Sequence, residues 1–205
     1  MAHFDYLEKS ILIKIMYYGP GLSGKSTNLR YILYEPEPYM FFSLDSSRAF
    51  GICCYEPDSI GDFIYRILPI KHGAIGPFET KFLLMEVHGQ VYYNHKRKPF
   101  LQGVDGIIFV CDSQTSCMDA NLCSLSEMQN NLEELNVNPE ILPIVFQYNK
   151  RDLEEITPLA ALNNSLNPKG KPYIEASAIS GCGVKESLEI MKKMLYPRYA
   201  ALLGY

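Results

Sequence analysis

The sequence predicts an α/β fold, with a mostly parallel central sheet of about six strands, one antiparallel edge and helices on both faces. Apolar, strand-like runs alternate with segments of helical periodicity, which is the order of parallel strands joined by crossover helices. The run at 106–111 is continuously apolar, as in a strand buried on both faces. A glycine-rich turn lies between the first long strand and the first helix.

Composition indicates one globular domain over 1–205, with a core over 10–195 and a C-terminal tail over 196–205. The chain has 205 residues, 47% of them hydrophobic and 20% charged, and a net charge of -4. This acidic balance argues against a nucleic-acid partner, and the basic stretch 95–98 is typical of a solvated face. We expect a cytoplasmic protein with six reduced cysteines and no direct membrane insertion, because no apolar run reaches membrane-spanning length.

The individual elements follow from periodicity and from chain breakers. The stretch from 40 to 62 is long and weakly patterned, with short strands predicted at 41–42 and 52–55, and this predicts a functional or mobile segment. A short helix is predicted over 157–162, with Thr157 and Pro158 as its cap and first-turn pair, and Pro197 is predicted to end or kink the last helix. The other predicted strands are 11–18, 63–70, 78–85, 106–111, 142–148 and 173–175; the other helices are 25–33, 94–102, 119–135 and 184–195; a hairpin loop covers 71–77, a loop 87–91, and a helical tail 198–203.

The glycine-rich turn, Gly19 to Thr27, has the spacing G-x-x-x-x-G-K-S of a phosphate-binding loop. Such a loop curves so that backbone N–H groups and the start of the next helix point at phosphate oxygens. Lys25 supplies a cation for the outer phosphates, and the Ser26 hydroxyl can bind Mg²⁺. The predicted phosphate-binding residues are Gly19, Gly21, Leu22, Ser23, Gly24, Lys25, Ser26 and Thr27.

The phosphate loop alone fits kinases, ATPases and GTPases equally. Asn149, Lys150 and Asp152 form an N-K-x-D motif directly after a buried strand, and this favours guanine. A carboxylate at Asp152 can accept two hydrogen bonds from the N1–H and N2–H₂ edge of guanine, and adenine has no such donor pair. Asn149 can brace the loop, and the stem of Lys150 can cover the ring face. Ser177 and Ala178 follow further along, where a backbone N–H can reach guanine O6.

With these motifs in order, the sequence resembles a small Ras-like GTPase with a P-loop G domain, and within that class the bacterial MglA family. The resemblance is carried by 17–29 (YYGPGLSGKSTNL), 88–94 (HGQVYYN), 101–110 (LQGVDGIIFV) with Asp112 and Ser113, and 147–153 (QYNKRDL). It implies binding of GTP or GDP with Mg²⁺ and switching between the two states. It also implies a roadblock-type MglB-like activating partner, polarity or motility effectors, and concentration at a cell pole through partners.

The resemblance also implies the catalytic positions, some of which depart from the Ras-like pattern. Gln90 follows Gly89 at the place of the residue that orients the attacking water, although a plain surface glutamine is the alternative. Glu86 stands where Ras-like proteins carry an aspartate beside Mg²⁺, and we expect it to act through water. His88 is predicted to be an exposed loop residue, and the alternative is a titrating group near the γ-phosphate.

The first switch region matches the pattern poorly. An arginine finger and a Mg²⁺-binding threonine are expected before Leu68, but an ungapped comparison places Gly61 and Asp62 there. A gapped comparison retains Arg48 as the candidate finger and no threonine. Because such a finger is worth about 10³–10⁵ in rate, its loss would make hydrolysis slow. Two functions therefore remain: a slow GTPase switch, or a pseudo-GTPase that keeps guanine nucleotide as a structural ligand and acts as an adaptor.

Overall fold

The computed structural model describes residues 2–34, 40–41, 52–58, 61–87 and 94–205, without the side chains of 40–41, 52–58, 61–66, 72 and 94–96. The strands are β1 (His3–Asp5), β2 (Ser10–Tyr18), β3 (Met40–Phe41), β4 (Ile52–Asp58), β5 (Gly61–Ile75), β6 (Phe78–Val87), β7 (Gly106–Asp112), β8 (Ile144–Asn149) and β9 (Tyr173–Glu175). The α-helices are α1 (Lys25–Tyr34), α2 (Asn94–Leu101), α3 (Met118–Glu134), α4 (Leu159–Leu166) and α5 (Val184–Leu203).

These strands form one β-sheet in the order β3-β5-β6-β2-β7-β8-β9, and in addition β1 pairs with β2 and β4 pairs with β5. Strands β6, β2, β7, β8 and β9 are parallel. The predicted α/β class and parallel core are confirmed. In the described part of the chain the sheet has nine strands where about six were predicted. The short strands predicted at 41–42 and 52–55 are present as β3 and β4, both antiparallel to β5, whereas β1, which pairs antiparallel with β2, was not predicted.

Two apolar layers cover the two faces of the sheet. On one face, β2 and β6 pack against Leu29 and Ile32 of α1 and against Leu188 and Met191 of α5. On the other face, β7 and β8 pack against α2, α3 and α4. The sheet centre is dry because the strands carry apolar side chains on both sides, as the unbroken burial of β7 illustrates.

The hairpin between β5 and β6 differs from its prediction. Strand pairing continues to Ile75 across a bulge between Lys71 and Ala74, so the predicted loop 71–77 shrinks to the turn after β5. Gly73 lies in this bulge with φ +76°, a left-handed conformation that suits glycine. The Thr80 hydroxyl donates to its carbonyl oxygen at 2.9 Å, which holds the bulge against β6.

Two helix boundaries also differ from their predictions. Helix α4 begins at Leu159 and runs to Leu166, with Pro158 at its N-cap and without a side-chain cap. Thr157 is not part of it, since its N–H donates to Ser113 O at 2.7 Å. Helix α5 continues through Pro197 to Leu203, because Tyr199 beyond the proline is buried in the core and compensates the lost backbone bond.

Candidate nucleotide-binding site

The predicted site residues lie where parallel strands end. The carboxyl ends of β2, β6, β7, β8 and β9 meet at one edge of the sheet. The phosphate loop follows β2, and the Ser177–Ala178 segment follows β9. At the ends of β6, β7 and β8 lie Glu86, Asp112 and Asn149, respectively. Ligands of open α/β sheets bind at this edge, because the loops that converge there leave a crevice.

The phosphate loop depends on glycine at two positions. Gly19 and Gly24 have φ values of +139° and +102°, and a Cβ would overlap Val110 O at the first and Asn149 Nδ2 at the second. Leu22 also lies in the left-handed region, with φ +63°, and its side chain is exposed. The loop thus takes the tight curve that phosphate binding requires, and α1 begins at Lys25 directly after it.

The Lys25 side chain is folded back over its own loop. Its ammonium donates to Gly19 O at 2.9 Å and to Pro20 O at 2.6 Å. The pKa of Lys25 is lowered to about 8, chiefly because the ammonium is buried; Arg97 lowers the pKa as well, and nearby Glu86 opposes the shift. A phosphate oxygen is a stronger acceptor for an ammonium than a carbonyl oxygen, so the arrangement suits the exchange of these contacts for a nucleotide.

Ser26 and Glu86 are in direct contact. The Ser26 hydroxyl donates to Glu86 Oε1 at 2.7 Å, and Glu86 is buried next to Tyr17 of β2. A serine hydroxyl and a carboxylate are hard oxygen ligands of the kind that Mg²⁺ prefers, so the pair fits that ion. The described residues contain no group of three or more His, Cys, Asp or Glu placed for a metal, so the phosphates and water would have to complete the coordination.

Asn149 connects the phosphate loop with the rest of the candidate base site. Its Nδ2 donates to Ser23 O at 2.7 Å, and its Oδ1 accepts the N–H of Ala178 at 2.8 Å. The predicted bracing contact is therefore present. The N–H of Ser177 donates to Cys182 O at 2.9 Å, so both N–H groups of the Ser177–Ala178 pair already donate within the protein.

Lys150 and Asp152 present different environments. Lys150 has φ +66°, and its ammonium lies 2.6 Å from Asp112 Oδ2. Asp152 is exposed at the turn after β8, where its carboxylate faces water. Between them, the Arg151 guanidinium donates to Thr157 O at 2.8 Å and to Glu175 Oε2, on a half-exposed side chain, at 3.0 Å.

Three residues near the site were assigned no role from the sequence, although Asp112 is among those that carry the family resemblance. Arg97 belongs to the basic stretch that was predicted to be a solvated face, and this prediction is wrong for Arg97 because its side chain is 1% exposed. Its guanidinium lies 5.4 Å from the Tyr18 ring centroid and 2.7 Å from Glu127 Oε2. Asp112 holds Lys150, and Ile179, directly after Ala178, exposes 81% of its surface. No spacing motif marks these residues; only the strand-end position of Asp112 was visible in the sequence.

The remaining predicted residues are not described. Arg48, His88, Gly89 and Gln90 lie outside the residues that the structure describes. Their predicted roles therefore stay predictions.

A cavity elsewhere in the protein has a volume of about 290 Å³. It is lined by α3 and by the segment after α4, including Leu122, Met128, Leu166 and Lys171, and by none of the predicted site residues.

The sequence was compared with known proteins. No family model matches the chain. It is 36% identical over 196 residues to the mutual gliding-motility protein MglA of Myxococcus xanthus (strain DK1622), and the alignment covers 95% of this chain and 96% of that protein.

The chain belongs to the MglA family of small GTPases. The Ras-like α/β fold and the phosphate loop at the end of β2 agree with this membership. Among the helices of this MglA-family chain that the structure describes, none combines the length and the apolar run needed to cross a membrane.

Proposed function

We propose that this chain is a GTP-binding molecular switch that hydrolyses GTP slowly and signals cell polarity or motility through effectors. The observation that supports this best is the double contact of Asn149, which hydrogen-bonds to Ser23 of the phosphate loop and to Ala178. These two bonds tie the phosphate-binding and base-binding segments into one unit. The name of the Myxococcus relative supports the motility role.

In this proposal the nucleotide is held at both of its ends. The phosphates bind the loop from Gly19 to Thr27 with help from Gly89, and the nucleotide displaces the Lys25 ammonium from Gly19 O and Pro20 O. Ser26 and Glu86 would hold Mg²⁺, which supplies charge neutralisation at the phosphates when bound. The guanine edge is read by Asp152, with Asn149, Lys150, Ser177 and Ala178 around the ring.

Hydrolysis would proceed by positioning and charge stabilisation, without a covalent intermediate. Gln90 orients a water molecule for attack on the γ-phosphorus, the bond to the bridging β-oxygen breaks, and GDP and phosphate leave. Arg48 is the candidate for a cation that stabilises charge on the transferring group. A roadblock-type MglB-like protein would accelerate the step, and the protein would be cytoplasmic and concentrated at a cell pole through its partners.

A phosphate-release assay tests the catalytic assignment. We expect Gln90→Ala to lower the rate by about 10²-fold or more, since it removes the group that orients the nucleophile. Gln129→Ala, an exposed glutamine on α3, is the matched control and should leave the rate unchanged. Unchanged phosphate release in Gln90→Ala would show that the assignment is wrong. Competition by ATP as effective as that by GTP would refute the guanine assignment.

The Ser26–Glu86 hydrogen bond supports a second candidate function. Because the hydroxyl already donates to a buried carboxylate, Mg²⁺ binding has to rearrange this pair. If this rearrangement does not occur, the chain would be a pseudo-GTPase that retains guanine nucleotide and acts as an adaptor. Quantifying the nucleotide in purified protein separates the two functions. Bound GTP that persists without turnover, even with a roadblock partner added, would favour the adaptor.

A further inference from the structure

A charged pair links the N-K-R-D turn to the end of the neighbouring strand. Lys150 Nζ lies 2.6 Å from Asp112 Oδ2, and the side chains are 26% and 4% exposed. The two residues are brought together by strand register, because Asp112 is paired with Asn149 across β7 and β8. The Asp112 carboxylate is the more buried of the two groups, so the Lys150 ammonium is directed toward the protein interior.

The Asp112 carboxylate is fixed independently of Lys150. The Asn121 side chain bonds to the backbone of Asp112 twice, accepting from its N–H at 2.9 Å and donating to its carbonyl oxygen at 2.8 Å. The Gln114 backbone N–H donates to Oδ1 at 3.1 Å, and its side-chain amide lies 3.2 Å from both carboxylate oxygens. The acceptor for the lysine is thus preorganised.

Lys150 has a fixed backbone and a long side chain. Its left-handed backbone conformation is stabilised by the next residue, whose N–H donates to Ala176 O at 2.9 Å. A lysine side chain has many rotamers, and a free lysine would lose this conformational entropy on covering a base. Holding the ammonium beforehand removes part of that loss from the binding step.

We propose that Asp112 is a positioning residue for guanine recognition, which holds the Lys150 stem in place to cover the face of the base. This rests on the proposed function, in which Lys150 contacts the ring. All purines offer the same ring face to the Lys150 stem, whereas the hydrogen-bonding edge of guanine is recognised by Asp152. The two effects can therefore be separated by choice of nucleotide.

The experiment measures the affinities of GDP and inosine diphosphate, which lacks the exocyclic amino group of guanine. We expect Asp112→Asn to weaken the binding of both nucleotides by the same factor, about tenfold, because it removes a charged hydrogen bond. Lys150→Met should weaken both similarly. In the double variant, Asp112→Asn should add less than about twofold to the effect of Lys150→Met, since it acts through that residue.

The matched control is Glu175→Gln, which breaks the other ion pair of the same turn, between Glu175 and Arg151. It should change both affinities by less than about twofold, because half-exposed pairs contribute little. Asp152→Asn should weaken GDP more than inosine diphosphate, which identifies edge recognition.

Three results would overturn the inference: unchanged affinities in Asp112→Asn, unequal losses for the two nucleotides, or losses that multiply fully in the double variant. If Asp112→Asn does not fold, Gln114→Ala removes two of the bonds to the carboxylate and should give a smaller loss with the same equal pattern. If the unmodified protein binds ADP as tightly as GDP, the proposed function fails instead.

Discussion

A side chain at position 24 would overlap the amide of Asn149, the residue that joins the two halves of the candidate site. Gly24 also has φ +102°, which a side chain strains. We therefore expect Gly24→Ala to weaken GDP binding by about 10²-fold or more, because the loop has to shift away from Asn149 to make room. Nucleotide titration of the folded variant measures this loss.

Gly170→Ala is the control for backbone strain alone. Gly170 has φ +64°, but a Cβ there would meet no atom within 4 Å. It should destabilise the fold by about 1 kcal/mol and leave GDP affinity unchanged. If Gly24→Ala and Gly170→Ala bind GDP with equal affinity, the overlap of a Cβ at position 24 with Asn149 does not affect the site.

At the level of single residues, sequence spacing predicted Lys25, Ser26 and Asn149, since each belongs to a motif whose chemistry fixes the interval. It did not predict the burial of Arg97 or the pairing of Asp112 with Lys150. Those contacts join residues 30 and 38 positions apart. They depend on the packing of α2 against α3 and on the register of β7 beside β8, and local pattern does not contain that information.

A buried hydrogen-bonded triad links helix α5 to the sheet. The Tyr199 hydroxyl donates to Asp105 Oδ1 at 2.6 Å, and Asp105 Oδ2 accepts the backbone N–H of Lys14 at 2.8 Å. Burial and the neighbouring Asp105 carboxylate raise the pKa of Tyr199, so the hydroxyl remains a donor.

Tyr199→Phe is expected to lower the free energy of unfolding by about 1.5–3 kcal/mol, because it removes a charge-assisted hydrogen bond from a buried carboxylate. Urea denaturation measures the change. Tyr205→Phe, which alters an exposed tyrosine, should have an effect below about 0.5 kcal/mol. Equal stability of both variants would show that the triad does not hold the helix.

Element types were predictable where periodicity was long, as in α3 and β7, and boundaries were less so. Helix α5 passes Pro197 because tertiary packing of Tyr199 outweighs the local preference of proline. Strand β5 passes Gly73 because the bulge is held by Thr80 and covered by Tyr196. In both cases tertiary contacts outweigh the local conformational preference of the residue at the predicted boundary.

Across the molecule, a buried polar network couples the phosphate loop to the core. Gln147 of β8 exchanges two hydrogen bonds of 2.8 Å with Asn28 of α1 and donates to Ser187 of α5 at 2.9 Å. Asn28 also donates to Gly24 O at 2.9 Å. Ligand binding at the loop therefore acts on a structure that includes both helices of one face.

We expect GDP with Mg²⁺ to raise the unfolding temperature of the whole chain in a single transition. At 100 times the dissociation constant the added free energy of unfolding is about 2.7 kcal/mol. ADP should give no comparable shift, and a chelator added to the GDP complex should reduce it. Differential scanning fluorimetry measures all three. In Asp152→Asn, the rise in unfolding temperature that is specific to GDP should be lost, and the unfolding temperature without nucleotide should be unchanged.

The contact between Asn149 Nδ2 and Ser23 O spans 126 residues, and that between Gln147 and Asn28 spans 119. On the ribosome, the phosphate loop is made long before the residues that hold it. A nascent chain that ends before β8 would carry the whole glycine-rich motif and yet lack the amide that braces it. Nucleotide capture during synthesis would thus report that β8 has joined the sheet, which makes GDP a probe for this step of folding.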